Sequence, residues 1–436
     1  MSTYISPPFD IPVEVDPWIQ STLVEGALET VLQGGLDNLD LAVEHALKAD
    51  LSDVMRSWGI TDAKRYLLFV SGMLRWTPFE VANGQMIDWA LCVSYLTLAQ
   101  APLSMTPYSP PIAPDAKGRE RPIEKWFDQF VQKVGENLHS GEAKSQNSIL
   151  SFEQSPLYNF EEALYPSKSG GWTDFNAFFT RRLKPGMRPI SCPNDDSVVV
   201  SPADCTFDGA WPVKSKSNTV AVATSARDES DNEWKVTHVD WPINELLGDD
   251  KEGRYDFSGG VLVHAFLNTP DYHRQHAPVS GTVVFSNLIE GRSYLGHTKP
   301  DGTVEMSVEP LDEGGRQFLQ TRGCVVIDNP VLGLVAVLPI GLASRGSVWL
   351  APALTPDPGE SWPHCPNVRV NKGDEISTLK LGGGEVMLLF QERAKMKIFG
   401  ATGLDEDGKT TRKQKYLVGM PLGVSMATKE KAHGSY

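Results

Sequence analysis

The apolar periodicity of this chain changes partway along, and that switch restricts the fold more than any other feature. Between residues 36 and 47, Leu36, Leu39, Val43 and Leu47 recur at helical spacing; between 123 and 138 the spacing returns with Phe127, Phe130, Val131, Val134 and Leu138. Both stretches predict amphipathic helices. Tyr66 to Trp76 and Met86 to Leu98 are apolar nearly all round, the pattern of helices buried inside a small bundle. Between them and the next helix lie Pro102, Pro107, Pro110, Pro111 and Pro114, which remove backbone donors and restrict their predecessors, so 102–114 is a semi-rigid loop.

Beyond Ser167-Lys-Ser-Gly-Gly171 the texture becomes short β-branched or aromatic runs: Val198 to Val200, Thr219 to Val222, Val261 to Phe266, Thr282 to Phe285, Cys324 to Ile327, Leu334 to Leu338 and Val386 to Phe390. One short helix is expected at Pro242 to Leu247. The sequence therefore predicts an α+β protein: a mainly α N-terminal domain (1–168), a β-rich domain (169–400) and a polar C-terminal extension (401–436). At 436 residues the length suits two cores rather than one.

Composition excludes several function classes. The chain is 41% hydrophobic and 22% charged, as in a globular protein, and its formal charge of −15 repels phosphate backbones and anionic headgroups. Lys409 to Lys415 is its one dense basic stretch and reads as a solvated tail. The opening MSTYISPPFDIPVEVDPW lacks the basic flank and apolar run of a secretion signal, which predicts a cytoplasmic location. The longest apolar run, Trp89 to Ala99, is far short of the roughly 20 residues of a membrane span, so no integral membrane association is expected. Cysteines at 92, 192, 205, 324 and 365 have no paired spacing and read as free thiols. His364-Cys365 and the His273-x-x-His276 pair lack further ligands, and no metal site is expected.

The chemistry is concentrated in a few motifs: Phe178-Phe-Thr-Arg-Arg-Leu-Lys-Pro-Gly186, Ser201-Pro-Ala-Asp204, Trp241-Pro-Ile-Asn-Glu-Leu-Leu-Gly248, Asp271-Tyr-His-Arg-Gln-His-Ala-Pro-Val-Ser-Gly281, Gly341-Leu-Ala-Ser-Arg-Gly-Ser347, and Lys372-Gly-Asp-Glu-Ile376 leading into Leu381-Gly-Gly-Gly-Glu385. In this order and spacing, from about residue 170 to 395, they resemble the phosphatidylserine decarboxylase family. Its members cut their own chain at a Gly-Ser bond and convert that serine to a pyruvoyl group. The helical region is more similar to the appendage of soluble fungal relatives, including psilocybin-type tryptophan decarboxylases.

The resemblance implies that Asp204 and His276 occupy the places of the carboxylate and imidazole that activate the serine. It further implies that His273 handles substrate and protons, and that Asp271, Arg274, Gly383 and Gly384 lie against substrate. Where the serine should stand, this chain has Gly384, followed by Glu385 in place of Ser or Thr. Glycine has no hydroxyl, and Ser377 and Thr378 lie about 20 Å upstream in an extended strand, too far to substitute. Without the pyruvoyl there is no electron sink for an ordinary amine-dependent decarboxylation, so no cofactor is expected.

What remains is a set of acid-base groups, Asp204, His273, His276 and Glu385, in which burial of Glu385 would favour its acid form. Arg181, Arg182 and Lys184 either steer an anionic substrate or form an exposed face. The expected function is a repurposed, cofactor-independent lyase, cyclase or isomerase of fungal specialised metabolism acting on a small molecule. A non-catalytic pseudoenzyme and a carboxy-lyase activity retained by another route stand as alternatives. Family members often associate through the β domain, which makes a homodimer the expected assembly.

Overall fold

The computed structural model describes residues 5–25, 32, 34–49, 51–81, 85–103, 122–140, 146–166, 171–227, 234–249, 254–292, 297–298, 304–305, 316–341, 347–381, 384–399, 403–404, 410–411 and 414–427. The helices form as the apolar spacing dictates. The main ones are α1 (Gly35–Ala46), α2 (Ala63–Met73), α3 (Met86–Ala99), α4 (Pro122–His139) and α5 (Gln146–Glu153), followed by the short α6 (Phe175–Phe179) and α7 (Ile243–Leu247), with two further short helices at Pro17–Ile19 and Ser52–Ser57. Asp62 caps α2 by accepting from the Arg65 N–H at 2.8 Å, and Asp174 caps α6 in the same way through Ala177. On α1, Leu39 and Val43 are buried while Leu36, in the first turn, is 41% exposed, because the apolar stripe meets the bundle only from the second turn onward. The all-round apolar α3 is buried along its length, from Met86 to Ala99.

The strands are β1 (Val198–Val200), β2 (Cys205–Pro212), β3 (Thr219–Arg227), β4 (Trp234–Pro242), β5 (Val261–Leu267), β6 (Arg274–His276), β7 (Gly281–Ile289), β8 (Arg322–Asn329), β9 (Gly333–Ile340), β10 (Val348–Leu350), β11 (Val368–Val370), β12 (Glu375–Leu379), β13 (Gly384–Phe390), β14 (Met396–Ile398), β15 (Lys415–Tyr416) and β16 (Pro421–Ser425). Eight of them make one antiparallel sheet in the order β11-β7-β8-β9-β13-β5-β2-β15. Two three-stranded sheets, β10-β12-β6 and β14-β16-β1, the hairpin β3-β4, and short pairs at 163–164/182–183, 297–298/304–305 and 403–404/410–411 make up the rest of the β structure among the described residues.

Alternation along the strands sends side chains to two different cores. On β13, Met387 and Leu389 join a core shared with α1 to α4 and α6, whereas Val386, Leu388 and Phe390 join a second core lined by β8, β9, β10 and β12. The helical region thus covers one face of the sheet, and the small sheets close the other. Strands β2 and β4 lie where the apolar runs gave no signal: Cys205–Pro212 carries Asp208 and Gly209 in its middle, and Trp234–Pro242 is mixed in character. Pro107 to Pro114, the domain boundary at 167–170, Gly382 and Gly383, and Leu342 to Gly346 lie outside the described residues.

Candidate functional site

The aromatic pair of the Phe178-Phe179 motif has two distinct jobs. Phe178 sits among Phe152, Tyr158, Phe160 and Trp172, with ring centroids 4.9–6.2 Å apart. Phe179 stacks on the His273 imidazole at 4.1 Å. The guanidinium of Arg181 lies over Tyr158, Phe160 and Phe178 and donates from Nη2 to the carbonyls of Tyr158 (2.8 Å) and Pro270 (3.3 Å). Arg181 is therefore buried inside the aromatic cluster, which corrects its grouping with Arg182 and Lys184 as a steering or surface residue. The cause is local: α6 ends at Phe179, and the turn that follows folds position 181 back beneath its rings.

Arg182 and Lys184 instead line a cavity of about 400 Å³ together with Arg188, Tyr272, His276 and Glu375. His276 sits on β6, paired in register with Glu375 on β12. Its Nδ1 lies 2.7 Å from the Gly373 carbonyl, so Nδ1 carries the proton. That leaves Nε2 to accept from the Tyr272 hydroxyl at 3.1 Å. Burial holds the His276 imidazole below its usual pKa and the Tyr272 phenol well above its own, which keeps both neutral at ordinary pH.

Asp204 and His276 do not bond each other. The Asp204 carboxylate accepts from Arg188, Nε at 3.0 and 3.1 Å and Nη2 at 2.6 Å, and from the Val418 N–H at 2.8 Å. Arg188 also reaches Glu162 at 2.9 Å. Asp204 thus acts on His276 only as a nearby charge.

His273 is fully buried, with Nε2 3.1 Å from the Thr269 carbonyl and Nδ1 without a hydrogen-bond partner. Burial pushes its pKa down to about 3, helped by the neighbouring Arg181 charge. Asp271 accepts from the Asn268 N–H at 2.8 Å and pairs with Lys415; burial pushes its carboxyl up against the pull of that lysine. Arg274 donates from Nε to the Thr180 carbonyl at 2.7 Å and pairs with Glu375, so neither Asp271 nor Arg274 lines the cavity. Ser377 is committed as well, donating to Gln275 at 2.7 Å.

Glu385 belongs to a different constellation. It is fully buried, and its Oε2 lies 3.2 Å from His264 Nε2, while His264 Nδ1 lies 2.8 Å from Asp208 Oδ2. A β-bulge between Phe207 and Gly209 turns Asp208 toward the imidazole. Burial alone would lower the His264 pKa, but the two carboxylates outweigh it and raise it to about 9. Glu385 therefore sits next to an imidazolium, on the sheet face shared with the helices.

Gly384, one residue earlier, points the opposite way. A Cβ built there would lie 2.3 Å from Leu379 Cδ1, so the space that a side chain at this position would need holds a leucine methyl.

Sequence reading singled out His276 and Asp204 but passed over Tyr272, Arg188, Glu375, Leu379, Asp208 and His264. Tyr272 was visible inside Asp271-Tyr-His-Arg274, and Arg188 just past Lys184-Pro-Gly186. Asp208 and His264 had no local signal, because they meet Glu385 only once three strands pair.

A family model described as phosphatidylserine decarboxylase matches residues 175–405. The chain is 28% identical over 265 residues to phosphatidylserine decarboxylase proenzyme 3 of Schizosaccharomyces pombe, a match that covers 60% of this chain and 22% of that protein. It is 29% identical to the phosphatidylserine decarboxylase proenzyme of Saccharophagus degradans, covering 57% of this chain and 79% of that one. It is 25% identical to the decarboxylase iboD of Amanita muscaria, covering 57% and 68% respectively. No described helix is long and apolar enough to cross a membrane. With the family model spanning over half the chain, the protein belongs to the phosphatidylserine decarboxylase family.

Proposed function

We propose that this chain is an enzyme that stays uncut and works with ordinary side chains on a carboxylate-bearing small molecule in the cavity beside His276. The observation that carries this is Gly384. It brings no hydroxyl, and the place of its missing Cβ is taken by Leu379, so the residues present do not fit a serine-derived pyruvoyl group. The two groups that would have to activate such a serine are also engaged elsewhere: Asp204 with Arg188, and His276 with Tyr272 and Gly373.

The remaining chemistry is proton transfer. The Tyr272 hydroxyl points at His276 Nε2, an arrangement in which the phenol gives a proton to substrate and regains one through the imidazole, or the reverse. The cationic Arg182, Lys184 and Arg188 in the lining favour an anionic ligand, since Glu375 is offset by both Arg182 and Arg274. Isomerisation, cyclisation, dehydration, or loss of CO2 from a substrate with its own electron sink, such as a β-keto acid, all fit this set. Two fungal relatives, both named decarboxylases, are compatible with a role in fungal specialised metabolism.

The intact mass of the purified chain tests the first half: one full-length species is expected, and a short C-terminal fragment with a ketone-blocked amino end would overturn it. The second half is tested by metabolite profiling of a deletion strain, followed by turnover of the accumulated compound. Y272F and H276A should each lower kcat by about 10²-fold or more without unfolding the chain. Unchanged turnover in both variants would sink the acid-base assignment, and decarboxylation of phosphatidylserine or a free amino acid by the uncut chain would sink the whole reading.

A further inference from the structure

Away from that cavity, at the junction of the helical region with the end of β12, Lys380 occupies an unusual position. Its Nζ lies 3.1 Å from His139 Nε2 and 3.3 Å above the centre of the Trp349 ring. His139, the last residue of α4, has its Nδ1 3.5 Å from Asp174 Oδ1 and its ring edge-on to Trp349 at 5.9 Å. Asp174 is itself fixed, accepting from the Ala177 N–H at 2.8 Å and the Thr173 hydroxyl at 2.9 Å. A carboxylate on the Nδ1 side favours the tautomer with its proton there, which leaves the Nε2 lone pair facing the lysine. Carboxylate, imidazole and amine thus stand in line, the order that activates a nucleophile.

We propose that Lys380 is a nucleophilic amine for small aldehydes or ketones, with His139 as its base, Asp174 orienting that base and the Trp349 ring as the floor on which the carbonyl compound rests. In the first step a proton passes from the Lys380 ammonium to His139 Nε2. The freed nitrogen pair then forms a bond to the carbonyl carbon as the C=O π pair moves to oxygen. His139 returns the proton to the oxygen, which leaves as water with a second proton from nitrogen, and a C=N linkage to Nζ remains with the third proton on nitrogen, so that one ammonium and one carbonyl give one iminium and one water.

Two further observations support this. Burial pushes the Lys380 pKa down to about 8, with the Asp174 charge pulling the other way. The attraction of the Trp349 face for a cation opposes the drop by less than about one pKa unit, too little to reverse it. Among the described lysines, Lys372 is also pulled down, but its ammonium is spent on the Cys192 and Asp195 carbonyls at 2.8 and 2.7 Å. Lys380 faces the His139 Nε2 instead, and the neighbouring Trp349 is 53% exposed.

The test is reductive trapping of the full-length chain with propionaldehyde and cyanoborohydride near neutral pH, read by peptide mass mapping. Lys380 should gain the propyl group at least tenfold faster than the exposed Lys48, since burial lowers the Lys380 pKa to about 8. The H139Q variant should bring Lys380 down to the Lys48 rate with an unchanged circular dichroism spectrum. If H139Q does not fold, the labelling rate of Lys380 in the unaltered chain against pH decides: a midpoint near 8 supports the proposal, and a rate still climbing to pH 10 in parallel with Lys48 overturns it. Equal labelling of the two lysines, or full reactivity in folded H139Q, leaves the cluster a cation-π latch between helix and sheet and refutes the proposal.

Discussion

At the residue scale, Gly384 and Glu385 face opposite sides of the sheet, Gly384 against Leu379 and Glu385 against His264. Glu385 brings a charge into a core, and the compensation is His264, itself held by Asp208. Removing the imidazole would leave two buried carboxylates without it, so H264A should destabilise the protein by about 3–5 kcal/mol in chemical denaturation. A loss below 1 kcal/mol would mean that the ion pairs contribute little. The Gly384 side is equally informative. G384S places a side chain against the Leu379 methyl, and overpacking of this kind costs about 1–3 kcal/mol. Because Asp204 is tied to Arg188, the G384S chain should still run as a single full-length species by mass spectrometry; cleavage before position 384 would show that the serine is all that self-processing lacks.

At the element scale, one buried guanidinium ties helix α7 to the segment that leads into β8. Arg322, fully buried on β8, donates from Nε to the Leu246 carbonyl (2.7 Å) and from Nη2 to Glu245 (2.7 Å), closing the C-terminal end of α7. Its Nη1 reaches the Phe318 and Gln320 carbonyls at 3.0 and 3.1 Å. Lysine cannot reproduce that fork, so R322K should cost about 2–4 kcal/mol and raise hydrogen exchange at α7 first. Uniform exchange across the chain would show that the arginine serves the whole core instead.

These elements also show where sequence stops being legible. The helices and the inner strands were readable because their apolar residues keep a period of 3.6 or form unbroken β-branched runs, as on β9 and β13. Strand β2 was not, since its Asp208 belongs to a buried ion pair whose partners are 56 residues away, and to a bulge that breaks the alternation. The site divides in the same way. His276, taken from its motif, lines the cavity while Asp204 pairs with Arg188, and Arg181 keeps a surface appearance in sequence because only the turn after α6 decides that it goes inward.

At the scale of the whole molecule, pH should act through the same histidine. His264 titrates at about 9 in the fold, above the ordinary value of 6.5, so its stabilisation is complete below pH 6.5 and is lost as pH rises through 9. The shift corresponds to roughly 3 kcal/mol, to be seen as a falling unfolding free energy between those limits and as an imidazole NMR titration near 9. A flat profile across this range would contradict the ion-paired state. His273 behaves oppositely: with its pKa at about 3, its contribution is present above 6.5 and is lost as pH falls toward 3.

The first five helices are the lid of the sheet, since Met387, Leu389, Leu262 and Phe285 are apolar toward them. A shortened chain beginning near residue 171 would turn that lipid-like surface to water, and should collect as aggregates or chaperone complexes rather than as a free catalytic half. Whatever this protein does in its cell, it does with both parts made together.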